Sequence, residues 1–207
     1  MARVAAFGCL AIAACGVLSA QQPPTGGEDQ SVGYLNIPCE AGFNLIANPL
    51  DAGDNSVRAL FADVPAGSVL YKYGADGFTV NVRDENNWSD PEQTLAPGEG
   101  AFLFVPRPTT ITIAGAILQG TLVNHLPAGF SLRASMIPKG GALDTDLGFP
   151  VADGDIIYRY TPSRGYSVHV FEEGAWNDRP VLRPGESVFV WKAAETDWIE
   201  HLTLPEP

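Results

Sequence analysis

The chain has 207 residues, 24 Asp and Glu against 12 Lys and Arg, and a formal net charge of −12. Its 22 Gly and 17 Pro are too many breakers for a helical bundle or coiled coil, and its 45% hydrophobic content is too high for a disordered acidic tail. A twofold acid excess also argues against nucleic-acid binding, which needs a basic face against phosphate.

The first 20 residues read as a secretory signal. Arg3 supplies a short positive region, Val4 to Leu18 is an apolar run, and Leu18-Ser19-Ala20 offers a small residue before a cut ahead of Gln21-Gln22. The run is shorter than the roughly 20 apolar residues of a spanning helix, so no membrane span is expected. An alternative is a lipid anchor at Cys15, because Ile12-Ala13-Ala14-Cys15 resembles a lipobox; a retained anchor is the third reading. Cleavage after Ala20 removes Cys9 and Cys15 and leaves Cys39 alone, so no internal disulfide is expected and Cys39 reads as a buried small hydrophobe. Residues 21–32 lack periodicity and read as a flexible tether.

The remainder repeats itself. Ala41-Gly42-Phe43-Asn44-Leu45-Ile46-Ala47 aligns with Ala128-Gly129-Phe130-Ser131-Leu132-Arg133-Ala134, and Gly67–Tyr73 aligns with Gly154–Tyr160 at the same offset. After a one-residue insertion, Gly77–Val82 meets Gly165–Val170 and Trp88-Ser89-Asp90 meets Trp176-Asn177-Asp178. The insertion is undone before Pro97-Gly98-Glu99, which meets Pro184-Gly185-Glu186. Two tandem units are therefore expected, 33–119 and 120–207. They carry 10 acids with 4 bases and 12 acids with 7 bases respectively, so the negative charge is spread over both.

Each unit reads as β-structure. Val69, Tyr71 and Tyr73 alternate with Leu70 and Lys72; Gly74-Ala75-Asp76-Gly77 reads as a hairpin loop; Phe78, Val80 and Val82 share one face. Ile111 and Ile113 alternate with Thr110 and Thr112, the period of a half-buried strand. One short helix is expected over Asn55–Ala62, capped by Asp54 or Asn55. The expected fold class is all-β: two tandem homologous small β-sandwich or barrel units with at most one short helix each.

Gly42-Phe43-Asn44-Leu45-Ile46, Asn48-Pro49-Leu50, Tyr71-x-Tyr73, Trp88 and Pro97-Gly98-Glu99-Gly100-Ala101-Phe102 resemble a repeat of large secreted proteins of environmental bacteria. Its pattern is G-W-N-L-I near the start and P-G-x-G-Y-W near the end. The resemblance implies an extracellular β-module, often appended to other domains, and is nearly silent on activity. The second unit departs from the pattern at Ser131, Arg133, Ser135-Met136 and Ser187.

No catalytic set emerges. His125, His169 and His201 show no metal-ligand spacing, and His169 is expected to be exposed, opposite Val168 and Val170. Gly185-Glu186-Ser187-Val188-Phe189 fails the nucleophile-elbow pattern at its fifth position. Glu99 and Glu186 read as turn residues and not as a glycosidase pair, and Asp144, Asp146, Asp153 and Asp155 read as solvated turn acids and not as a calcium site. Neither a metal nor a cofactor is expected. Trp88 and Trp176 are the candidate ligand-binding residues, as stacking platforms for a sugar ring, with a packed structural role as the alternative. The leading functional expectation is a secreted, non-catalytic structural or adhesion module of a bacterium, with extracellular glycans or cell-surface proteins as partners. A carbohydrate-binding module is second, and an enzyme with a site between the units third.

Overall fold

A computed structural model describes residues 31–204. The expected signal, Cys9, Cys15 and most of the tether lie outside the described residues. The fold is all-β. The elements are β1 (Val32–Cys39), β2 (Gly42–Ala47), α1 (Val57–Leu60), β3 (Val69–Gly74), β4 (Gly77–Val82), β5 (Gly100–Val105), β6 (Thr109–Ala116), β7 (Gly120–Leu126), β8 (Gly129–Arg133), β9 (Gly141–Ala142), β10 (Ile156–Thr161), β11 (Gly165–Glu172), β12 (Ala175–Trp176), β13 (Val181–Leu182), β14 (Val188–Lys192) and β15 (Thr196–Leu202).

The strands form a four-stranded sheet in the order β2-β5-β3-β4 and a five-stranded sheet in the order β8-β14-β10-β11-β12. Three two-stranded ribbons, β1-β6, β7-β15 and β9-β13, complete the fold, and no sheet closes into a barrel. The ladders correspond across the chain. Leu35 faces Ile113 as Leu122 faces Glu200; Leu45 faces Phe102 as Leu132 faces Phe189; Tyr71 faces Phe102 as Tyr158 faces Phe189. In each case both partners move by the same 87 positions.

Two apolar cores follow. In the first, Ile37, Ile111 and Ile113 of the β1-β6 ribbon meet Ile46, Leu70, Ala101 and Leu103 of the sheet, with Val57, Leu60, Phe61 and Leu95 filling the side. Ile111 and Ile113 point inward as their alternation predicts, while Thr110 and Thr112 are exposed. In the second, Leu126 and Trp198 of the β7-β15 ribbon meet Ile157, Val188 and Val190, and the 143–149 segment supplies Leu143, Leu147 and Phe149.

Three local expectations change. The helix is a single turn, N-capped by Ser56 without a side-chain cap bond, and the Asp54 carboxylate accepts from the Ser56 N–H. β1 begins at Val32, inside the expected tether. The apolar face of β4 points outward: Val80 is 55% exposed, while Asn81 is buried. Asn81 faces inward because the 89–93 loop satisfies its amide, which donates to the Asp90 carbonyl at 2.6 Å and accepts from the Asp90 N–H at 2.9 Å.

The halves are joined by reciprocal contacts at the Pro-Gly-Glu turns. The Ala47 N–H donates to the Gly185 carbonyl at 2.8 Å, and the Ala134 N–H donates to the Gly98 carbonyl at 3.0 Å. Gly98 and Gly185 hold positive φ of 89° and 75°, as the second central position of a type II turn requires. Each glutamate then closes its own turn, Glu99 accepting from the Ala96 N–H and Glu186 from the Arg183 N–H. Between the two sheets, Gly100 faces Ser187, and a Cβ on Gly100 would lie 2.6 Å from that of Ser187.

Candidate functional site

The largest departure from an ordinary surface is aromatic. The outward faces of the two sheets are lined by Phe43, Tyr71, Tyr73, Phe78 and Phe102 from one half and by Phe130, Tyr158, Tyr160, Tyr166 and Phe189 from the other. They meet in edge-on contacts: Tyr73 to Phe189 at 4.9 Å, Phe102 to Tyr160 at 6.1 Å and Tyr160 to Tyr166 at 5.0 Å between ring centroids. Beneath them Leu45, Phe102 and Leu132 form a third, small apolar cluster. Above it lies a groove of about 330 Å³ lined by Phe78, Phe102, Phe130, Tyr158, Tyr166 and Phe189. Phe78 is 49% and Tyr166 59% exposed, so ring surface remains in contact with water. Burial, with the nearby Tyr160 phenol, raises the pKa of the Tyr166 phenol above its usual value.

Two polar cavities flank the groove at corresponding positions. One, of about 360 Å³, lies among Glu40, Asn44, Tyr160, Thr161, Arg164 and Arg183. The other, of about 370 Å³, lies among Tyr73, Gly74, Pro127, Phe130, Ser131 and Arg133. Arg133 is held by donating from Nε to the His125 carbonyl and from Nη1 to the Leu132 carbonyl, and its burial lowers its pKa.

The two candidate tryptophans, Trp88 and Trp176, pack against the apolar cores. Trp88 is 3% exposed, packs edge-on against Phe61 at 6.2 Å and donates from Nε1 to the Phe61 carbonyl. Trp176 is half-buried against Phe171 and donates from Nε1 to the Asp144 carboxylate at 3.1 Å. A buried indole offers no free face to a sugar ring, so Trp88 is placed as a packing residue and Trp176 chiefly so. The signal for the aromatic groove was present in Phe43, Tyr71, Phe78, Phe102 and their counterparts. Strand alternation put Phe78 on one face of β4 but carried no information on which face would be covered.

Most ionisable side chains are committed to structure. Glu99 pairs with Lys72 at 2.9 Å and Glu186 with Arg159 at 2.7 Å, each beside its own turn. Asp155 is buried against Lys192 at 2.5 Å, which corrects its reading as a solvated acid. Asp144, Asp146 and Asp153 accept from Thr145, Ala142 and Gly174 backbone N–H groups. Among the described residues no group of three His, Cys, Asp or Glu side chains could hold a metal ion.

His169 is buried, contrary to expectation. It contacts the Asp178 carbonyl through Nδ1 at 2.6 Å and the Ser167 hydroxyl through Nε2 at 3.0 Å. The sequence Ser-x-His on one strand face thus puts a hydroxyl beside an imidazole. The first half shows what the arrangement does: Asn81, at the matching place, holds the Asp90 carbonyl at the same distance. Neither Ser167 nor His169 lines any of the three cavities described. Cys39 is buried, and desolvation pushes its thiol pKa up to about 11, which removes it as a nucleophile at neutral pH.

Among the described residues no helix is long and apolar enough to cross a membrane. Compared with family models, curated proteins and solved structures, the chain matches none.

Proposed function

We propose that the chain is a secreted, non-catalytic adhesion module acting at or outside the bacterial cell surface, built from two tandem homologous β-units. The carrying observation is the exposed aromatic groove to which both sheets contribute corresponding residues. Exposed aromatic surface of this kind costs solubility unless it meets a partner. The 87-residue displacement that relates the β1-β6, β2-β5 and β3-β5 ladders to β7-β15, β8-β14 and β10-β14, together with the reciprocal turn contacts, supports the duplication. Secretion rests on Met1–Ala20, and the extracellular assignment on the resemblance of the G-F-N-L-I and P-G-E-G-A-F motifs to a secreted repeat.

A second reading is carbohydrate binding. It is favoured by Tyr158 and Tyr166, which bring two phenol rings to a groove whose ring faces a pyranose could cover. One experiment addresses both readings. The full-length chain and its F78A/Y166A variant are incubated with bacterial cells, cellulose and chitin, and depletion from solution is measured. Adhesion predicts retention on cells that falls at least tenfold in the variant; the carbohydrate reading predicts the same loss on a purified polysaccharide. Equal retention of the two proteins everywhere overturns both, and release of reducing sugar by the chain overturns the non-catalytic assignment.

A further inference from the structure

The two polar cavities occupy matching places, and the 360 Å³ one is lined by three arginines, Arg159, Arg164 and Arg183. Arg159 stands where the first half has Lys72, and its guanidinium is spent on Glu186 through Nε and Nη2 at 3.0 and 2.7 Å. Arg183 stands where the first half has Ala96, since both donate their N–H to the glutamate three residues on. Arg164 sits in the β10–β11 loop, which is one residue longer than the β3–β4 loop. Both Arg164 and Arg183 line the 360 Å³ cavity and are exposed. Among the described residues neither guanidinium forms an ion pair. Glu40 is the one lining carboxylate left once Glu186 is neutralised by Arg159, so the cavity carries a positive excess within a chain of net charge −12.

We infer that this cavity binds an acidic sugar residue, a pyranose carrying a carboxylate or sulfate group. Guanidinium groups pair with planar or tetrahedral oxyanions through two parallel N–H bonds, which Arg164 and Arg183 are free to make. The volume exceeds what a bare anion fills and lies within the range of small-molecule sites. Tyr160 supplies a ring wall, Pro162 and Pro184 supply apolar edges, and Thr161 and Ser163 supply hydroxyls for the sugar's own. Tyr160 also touches Tyr166 of the groove, so a polymer crossing the groove would present a residue to the cavity. The inference rests on the binding-module reading but names a separate contact site, with its own residues and its own ligand charge.

The test is calorimetric titration of the full-length chain with a galacturonate trisaccharide, its fully methyl-esterified form and a sulfated galactose trisaccharide. Expected are binding of at least one acidic form, at least tenfold weaker binding of the neutral ester, and weakening as salt rises. R164A/R183A should lose at least tenfold in affinity, while R107A, an exposed arginine remote in sequence from the cavity, should change it less than twofold. Binding of the sulfated form alone assigns the oxyanion as sulfate. Absence of binding by both acidic sugars overturns the inference, as does equal binding of the ester or equal loss in R107A. Retention of neutral polysaccharide or cells without acidic-sugar binding would leave adhesion standing and this inference refuted.

Discussion

At matching places the two halves solve the same burial problems with different chemistry. The first half uses neutral groups. Asn81 holds the Asp90 carbonyl, Ser68 donates to the Pro65 carbonyl at 2.7 Å, and Ile113 fills the ribbon face. The second half uses ionisable ones. His169 contacts the Asp178 carbonyl, Asp155 accepts from the Ala152 N–H while pairing with Lys192, and Glu200 replaces the aliphatic side chain. Glu200 is buried and accepts from the Ser135 hydroxyl and the Met136 N–H, both at 2.6 Å. One backbone geometry thus tolerates amide, imidazole or carboxylate where the buried group at that place finds a hydrogen-bond partner. The second half thus carries ionisable groups inside its core where the first half carries neutral ones.

The buried pair gives the largest expected effect. K192M leaves the Asp155 carboxylate without its cation and should cost about 3–5 kcal/mol in chemical denaturation. D155S/K192V, which installs the first half's Ser68 and Val105, should recover most of that loss. Equal destabilisation of the single and double variants would mean that the two solutions are not interchangeable.

Next comes the contact between Gly100 and Ser187, one position seen from each half. G100A forces a methyl against the serine Cβ and should cost about 1–3 kcal/mol. S187G in the same chain should restore at least half, because the space holds one side chain and not two. No rescue by S187G would show that the clash lies elsewhere.

Glu200 predicts a pH signature. Burial raises its carboxyl pKa in the folded state, against the two hydrogen bonds that lower it. A carboxyl with a raised folded pKa stabilises the fold while protonated, below its unfolded pKa, and that contribution is lost as pH rises through the folded value. E200Q keeps a carbonyl oxygen to accept from the Met136 N–H and turns an amide N–H to the Ser135 hydroxyl oxygen, whose proton then goes to the Ile137 carbonyl, without the charge. It should therefore match or exceed the wild type in stability at pH 7, with the margin shrinking as pH falls from the raised folded pKa toward the ordinary glutamate value near 4.3 and levelling off below it. A margin that grows on acidification would contradict the burial argument.

The smallest effect concerns the second half's extra hairpin. Glu173 has a φ of 53°, the left-handed region, in the turn between β11 and β12. Asparagine accepts that conformation more readily, so E173N should raise stability by less than about 1 kcal/mol. A loss would indicate that the Glu173 side chain contributes a contact worth more than the strain.

Much of this architecture is legible in the amino-acid sequence. The Thr-Ile alternation placed β6, the glycines bracketing Ala75-Asp76 placed the β3–β4 hairpin, and Pro-Gly-Glu announced its turns. What escaped depended on distant chain. Asn81 and His169 look like surface residues by polarity, but loops at 89–93 and 177–178 bring carbonyls to meet them, which is a tertiary event. The outward aromatics followed from the same inversion, and the pairing of Asp155 with Lys192 joins positions in separate strands and loops. Trp88 and Trp176 were visible as candidates, but only the packing of Phe61 and Phe171 against them decides what their rings face.

The crossed hydrogen bonds at the turns also set an order of events in folding. Gly98, whose carbonyl accepts, precedes its donor Ala134 by a short stretch, so that bond closes a small loop. Ala47 must wait for Gly185, which emerges only after most of the second half has been made. Loop closure over that span costs more entropy and raises contact order, the quantity that slows folding. On a ribosome, the first half would therefore present Leu45 and Phe102 uncovered until the last strands arrive, an interval in which the nascent chain is open to association with another copy of itself.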